Sequence, residues 1–169
     1  AADGAGWSEA LVSLARHCRA DVGSLVLIDR ESGTGRGFCL GVDDAFAVPF
    51  VRSKANHVAI GSRMVAPGAV FTDRSVVDRR AFEASTFFAS WAAPSRQTEY
   101  AGVAVLNDDD RFVFVGLSRG PRKGAFGDDE LGELQTLEPP RVCRRLHSLR
   151  GWSHEQEAED PAEVFAGGA

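Results

Sequence analysis

The chain has 169 residues, is 44% hydrophobic and 25% charged, and carries a formal net charge of −5. That length suits one domain with a tail and is enough to bury a core. The acidic balance excludes a nucleic-acid face on this chain, because phosphate contacts need concentrated basic side chains.

The first pattern is "SEALVSLARHC", where Ser8 is placed to cap a helix and Leu11, Leu14, Ala15 and Cys18 share one face. Residues 21–23 break it. "SLVLID", residues 24–29, reads as a strand covered on both faces. After the turn cluster "RESGTGRG", residues 38–42 return as its hairpin partner. Residues 43–63 are ambiguous, since Pro49 breaks any helix there. "PGAVFTD" combines a turn with a short extended stretch. In residues 78–94, Ala84, Phe87, Phe88 and Trp91 recur at helical spacing until Pro94 stops the helix. "YAGVAVLNDDDRFVFVGL" is a hairpin with an acidic turn at residues 107–110. The longest helix opens at Gly127 or Asp128, with Asp128, Asp129 and Glu130 in its first turn, where negative charge suits the helix dipole. Its apolar stripe is Leu131, Leu134, Leu137, Val142, Leu146 and Leu149, with a kink expected at Pro139 and Pro140.

The element order predicts an α+β fold. It is a mostly antiparallel sheet with the N- and C-terminal helices on one face and a helical and loop cover on the other. Residues 1–152 form this domain, and residues 153–169 read as an acidic linker or disordered tail. A face covered by short broken elements is a natural place for a pocket.

The second half carries a resemblance. "PGAVFTD", then "FEASTFFASWAAP", then "GVAVLNDDDRFVFVGLSRGPRKGAFGDDELGELQTLEPPRVCRRL" resembles the GAF-like N-terminal sensor domain of LuxR-type helix-turn-helix transcriptional regulators. It departs from that pattern at Thr86 and Phe88, which replace an acid and a tyrosine, at Gly127, which replaces a capping side chain, and at Arg141, which replaces a histidine. The resemblance implies a GAF/PAS-like sensor from a regulator whose DNA-binding helix-turn-helix lies outside this chain. It also implies a dimer formed through the terminal helices.

The chemical candidates are weak by comparison. His57 has no partner carboxylate or second histidine nearby in sequence, and His17, His147 and His154 sit among charged neighbours on helices or tail. Asp108, Asp109 and Asp110 lack metal-loop spacing and read as a solvated turn, so no metal is expected. "RGPRKG" lacks phosphate-loop spacing. Cys18, Cys39 and Cys143 form no CxxC pair and no disulfide framework, so reduced thiols acting as small hydrophobes are expected. Cys39 as a redox thiol stays open, since that needs exposure and a low pKa. The aromatics point to an apolar cavity for a small, largely apolar or aromatic ligand, with Phe38, Phe46, Phe50, Phe87, Trp91 and Tyr100 as its candidate contacts. Gly102 and Ala104 would leave it room. No catalytic residue and no cofactor is called for. With no ~20-residue apolar span and no leader, a cytoplasmic setting is expected. The leading expectation is therefore a non-enzymatic ligand-sensing domain, with a ligand-free dimerisation module and, last, a small thiol enzyme as alternatives.

Overall fold

The computed structural model describes residues 4–33, 35–43, 45–47 and 65–136. Helix α1 (Gly4–His17) leads into strands β1 (Val22–Asp29) and β2 (Gly35–Leu40). Strand β3 (Val70–Thr72) is followed by the short helices α2 (Asp73–Val76) and α3 (Arg79–Glu83) and by a π-helical turn (Phe88–Ala92). Strands β4 (Glu99–Asn107) and β5 (Arg111–Arg119), a 3₁₀ turn (Pro121–Lys123) and helix α4 (Asp128–Thr136) complete the order.

The described strands make one antiparallel sheet in the order β2-β1-β5-β4-β3. Two local devices set its hairpins. Asp29 Oδ1 accepts from the Ser32 amide and hydroxyl, both at 2.7 Å. In the acidic turn, Asp108 Oδ1 accepts from the amides of Asp110 at 3.1 Å and Arg111 at 2.6 Å. Gly37 sits at φ 147°, where a Cβ would fall 2.0 Å from the Leu25 carbonyl oxygen, so only glycine lets β2 lie against β1 there.

Alternation along the strands fills both faces, which is why β1, β4 and β5 read as nearly continuous apolar runs. On one face, Leu11 of α1 packs with Leu25, Val103, Val105, Val113 and Val115. The same layer continues with Cys18, Ala101, Leu117, Phe126 and Leu134, which bring in α4. On the other face, Val26, Phe71, Phe82, Phe87, Trp91, Tyr100, Phe112 and Phe114 pack as one cluster. Each of these larger side chains contributes roughly 1.5–3 kcal/mol through burial. The expected layers are thus present, with α1 and α4 sharing one face.

Several local expectations are corrected. Ser8 lies inside α1, which begins at Gly4. Strand β1 starts two residues before Ser24, and β2 is shifted towards the turn, ending at Leu40. The single helix over 78–94 is two pieces. Asp78 caps α3 by accepting from the amides of Arg80 and Ala81. Then Ser85 diverts the chain: its hydroxyl donates to the Phe82 carbonyl at 2.6 Å and accepts from the Phe88 amide at 3.0 Å. Such side-chain bonding competes with the helix ladder. The second piece closes wide, with the Ala93 amide donating to the Phe88 carbonyl at 2.9 Å. Leu131 and Leu134 of the C-terminal stripe pack on the molecule's own sheet, and Leu134 is fully buried. Leu134 is therefore taken up within the chain's own core. The rest of the stripe, the kink at Pro139 and Pro140, the tail, Phe50, His57 and Cys143 lie outside the described residues. Among the described residues, no helix is long and apolar enough to cross a membrane.

Candidate ligand site under the aromatic cover

Register places a row of small residues across the middle of the cover face. Cys39 pairs with Ser24, Ser24 with Gly116, Gly116 with Gly102, and Gly102 with Phe71. The row is flanked by Val26, Phe114 and Ala104 on one side and by Val22, Ser118 and Tyr100 on the other, of which Val26, Phe114, Val22 and Tyr100 rise above it. The row is a shallow trough, and the aromatic cover is pressed into it. The Phe71 ring lies over Gly102 so closely that a Cβ there would meet Phe71 Cζ at 2.8 Å. The room expected above Gly102 is therefore taken by Phe71.

The π-helical turn supplies the rest of the cover. Phe87 and Trp91 stack at 5.4 Å with 21° between planes, and Trp91 lies 6.1 Å from Tyr100. Phe82 meets Tyr100 edge-on at 5.8 Å. Such pairs add about 0.5–1.5 kcal/mol each beyond area burial. Both polar aromatics are tied to backbone: Trp91 Nε1 donates to the Phe46 carbonyl at 2.5 Å, and the Tyr100 hydroxyl donates to the Gln97 carbonyl at 2.5 Å. Burial pushes the Tyr100 hydroxyl well above its ordinary 10.0, so it stays neutral. Beneath the cover, between Ser24, Phe71, Trp91, Tyr100, Gly116 and Ser118, is a cavity of about 10 Å³. That is room for roughly one water.

Charge is kept to the rim. Asp73 and Glu99 are buried, and Arg79 bridges them at 3.0 and 3.5 Å while donating to the Thr98 carbonyl at 3.0 Å. Arg74 reaches Glu99 at 3.2 Å, and Asp73 Oδ1 accepts from the Tyr100 amide at 3.3 Å. This network fastens α2 and α3 to β4. Breaking such a pair by removing one partner leaves an uncompensated buried charge, which costs about 3–5 kcal/mol. The carboxylates are fully engaged in holding the fold.

Of the candidate contacts, Phe87, Trp91 and Tyr100 meet in one buried cluster, and Phe46 packs at its edge. Phe38 pairs in register with Leu25. Cys39 packs against the cluster, and burial pushes its thiol up to about 12, the opposite of what a reactive thiol needs. Sequence reasoning missed Ser24 and Ser118, buried serines of the cavity lining, and Gln97, which is hydrogen-bonded to Ser118. Their signal was a hydroxyl inside a strand covered on both faces, in "GSLVLI" and "VGLSRG".

No protein-family model and no curated protein sequence matches the chain. Among solved structures it is similar to the VqsR ligand-binding domain of Pseudomonas aeruginosa, at 15% identity and a TM-score of 0.63, covering 83% of this chain and 86% of that one. It is also similar to the red/green cyanobacteriochrome NpR6012g4 in its red light-absorbing state, at 9% identity and a TM-score of 0.59, covering 85% and 95%. Similarity to Escherichia coli SdiA, at 15% identity and a TM-score of 0.57, covers 92% of this chain and 63% of that one. The fold is GAF-like.

Proposed function

We propose that this is a small-molecule-sensing regulatory domain, of the kind found ahead of the helix-turn-helix in LuxR-type transcriptional regulators. It binds its ligand between the sheet and the aromatic cover, performs no chemistry, and passes the bound state on through its terminal helices. The observation that carries this reading is the cover itself. Phe71 and Trp91, the latter on a wide π-helical turn, plug a glycine- and serine-floored trough whose described lining bears no charge. The named ligand-binding domain among its structural neighbours supports the same reading.

With only about 10 Å³ beneath the cover, a ligand gains entry by displacing the plug. Two arrangements of the cover then compete, and a ligand that prefers the open one shifts the population towards it. π-Helical turns occur frequently at functional sites, and here the surplus residue would be absorbed if the turn became an ordinary helix. Such a change would rotate Trp91 away from Tyr100. A cytoplasmic setting and a homodimer through the terminal helices belong to the same proposal. The ligand-free dimerisation reading loses Leu134, which is buried within the chain.

The test is thermal unfolding of the chain against a panel of neutral aromatic and aliphatic compounds, followed by native mass spectrometry on any that stabilise it. Stabilisation by neutral apolar compounds, lost when the plug is fixed in place by crosslinking, is the expected result. A panel that leaves the midpoint unmoved throughout would sink the sensing function.

A further inference from the structure

Two serines of the cavity lining, with Gln97 bonded to one of them, make a neutral hydrogen-bonding corner. Ser118 Oγ donates to Gln97 Oε1 at 3.0 Å, and Ser24 Oγ donates to the Gly116 carbonyl at 3.2 Å. Ser24 and Ser118 are each 4% exposed and Gln97 8%. Both serine hydroxyls line the cavity and keep lone pairs to offer. The bond from Ser24 is long, so that hydroxyl can turn towards a better acceptor. Next to Gln97, the Thr98 hydroxyl is buried with no hydrogen-bond partner among the described residues. The corner can therefore accept from one group of a ligand and donate to another. It offers no counter-charge to an ion, whose unpaired burial is prohibitive.

The residue after Ser118 points to the opposite face and holds the start of α4. Arg119 is 2% exposed. Its Nε donates to the Gly124 carbonyl at 2.8 Å, Nη1 to the Cys18 carbonyl at 3.2 Å, and Nη2 to the Ala125 carbonyl at 2.8 Å. Nη1 and Nη2 also fork onto the two Glu130 oxygens at 2.6 and 2.8 Å, so all five guanidinium donors are used. The guanidinium lies 4.0 Å over the Phe126 ring. Glu130 Oε2 in turn accepts from the Gly127 amide at 2.9 Å, which is half of a capping box at a helix start without a capping side chain. The corner and the clamp are tied on both strands: Gln97 is bonded to Ser118, and the Thr98 amide donates to the Arg119 carbonyl at 3.2 Å.

We infer that Ser24, Gln97 and Ser118 form the polar end of the ligand site, that they take an uncharged group which both donates and accepts hydrogen bonds, such as a carboxamide, and that Arg119 carries its occupancy to α4. This rests on the cover being the ligand site. A carboxamide competes for the Gln97–Ser118 bond. Loosening that bond shifts the 97–98 and 118–119 backbones together, and with them the guanidinium that fixes where α4 begins. Arg119 is a positioning residue here and does not touch the ligand.

The experiment titrates the full 169-residue chain with benzamide, with its apolar counterpart ethylbenzene and with the anion benzoate. Backbone NMR gives affinities, and amide exchange across α4 gives the response. Benzamide is expected to bind about tenfold more tightly than ethylbenzene, the worth of one good hydrogen bond, and benzoate more weakly than both. Saturation with benzamide, but not with ethylbenzene, changes α4 exchange. Ser118→Ala removes the preference for benzamide. Arg119→Lys keeps the preference and loses the α4 response, and Glu130→Gln does the same should the lysine variant not fold. Equal binding of the three probes, or a preference that survives Ser118→Ala, overturns the polar corner. Unchanged α4 exchange in the wild type, or a response that persists in both clamp variants, overturns the link to α4. If neither benzamide nor ethylbenzene binds, the cover is not a ligand site, and the proposed function fails with this inference.

Discussion

Replacing Trp91 with alanine tests the cover directly. Trp91 is 3% exposed, stacks on Phe87, contacts Tyr100 and donates to the Phe46 carbonyl. Truncating a buried tryptophan costs about 3–5 kcal/mol. The upper half of that range applies here, because the Phe46 carbonyl also loses its donor. A domain of this size is stable by roughly 5–15 kcal/mol, so the variant loses from about a third to nearly all of its margin. Urea unfolding should show the midpoint falling by a large fraction with the slope unchanged. The void left behind is apolar on its cover side, as are cavities that take up flat aromatic molecules of benzene size, at roughly 150 Å³. Indole should therefore stabilise Trp91→Ala by about 1.4 kcal/mol at ten times its dissociation constant, by mass action, raising its midpoint, and leave the wild type little changed. A loss below 1 kcal/mol would mean that Trp91 does not plug the trough. A full loss without rescue by indole would mean that the cover collapses inward, and the picture of a displaceable plug would be wrong.

Other outcomes follow from the same geometry. Leu134→Asp should unfold the domain rather than yield folded monomers, because it places a carboxylate among Cys18, Ala101, Leu117 and Phe126; size-exclusion chromatography with circular dichroism separates the two results. Gly102→Ala should cost about 1–3 kcal/mol in urea unfolding, since its Cβ meets the Val115 carbonyl oxygen and Phe71 Cζ, both at 2.8 Å, and the backbone atom cannot yield. Acid should loosen α4 first. The Arg119 hydrogen bond holds Glu130 below its ordinary 4.5, so the stability this gives is complete above that pH and is lost as pH falls through the lower folded value. Amide exchange of α4 should accelerate over that range in the wild type and much less in Glu130→Gln.

Much of the fold was legible because the signals were local and repeated. The alternation in "YAGVAVL" and "RFVFVGL" gave the hairpin, and Leu11, Leu14 and Cys18 gave the buried face of α1. The break inside 78–94 was not legible, because it depends on the Ser85 hydroxyl taking over two backbone groups, and periodicity is blind to that. The aromatic cluster could be anticipated as a group, yet the trough it fills depends on strand register. Only pairing across the sheet shows that Ser24, Gly116 and Gly102 share one line. Arg119 was read as part of a basic turn. Its role is set by an acid eleven residues away and by the Cys18 carbonyl, just past α1 and about a hundred residues earlier, which no local pattern contains.

That last separation has a consequence for how the domain comes together. β1 lies between β2 and β5, and its inner partner is β5, with Val22 opposite Ser118. The carbonyls of Cys18 and Arg19 accept from Arg119 and Lys123. The N-terminal quarter of the chain can therefore form a hairpin and a helix early, but cannot complete its hydrogen bonding until residues 111–123 arrive. Closing a loop of that length is entropically costly before any contact rewards it. Folding should be slow for a domain of this size, in the millisecond-to-second range, and limited by the docking of β5. On a ribosome the sheet would close only once nearly all of it had been made.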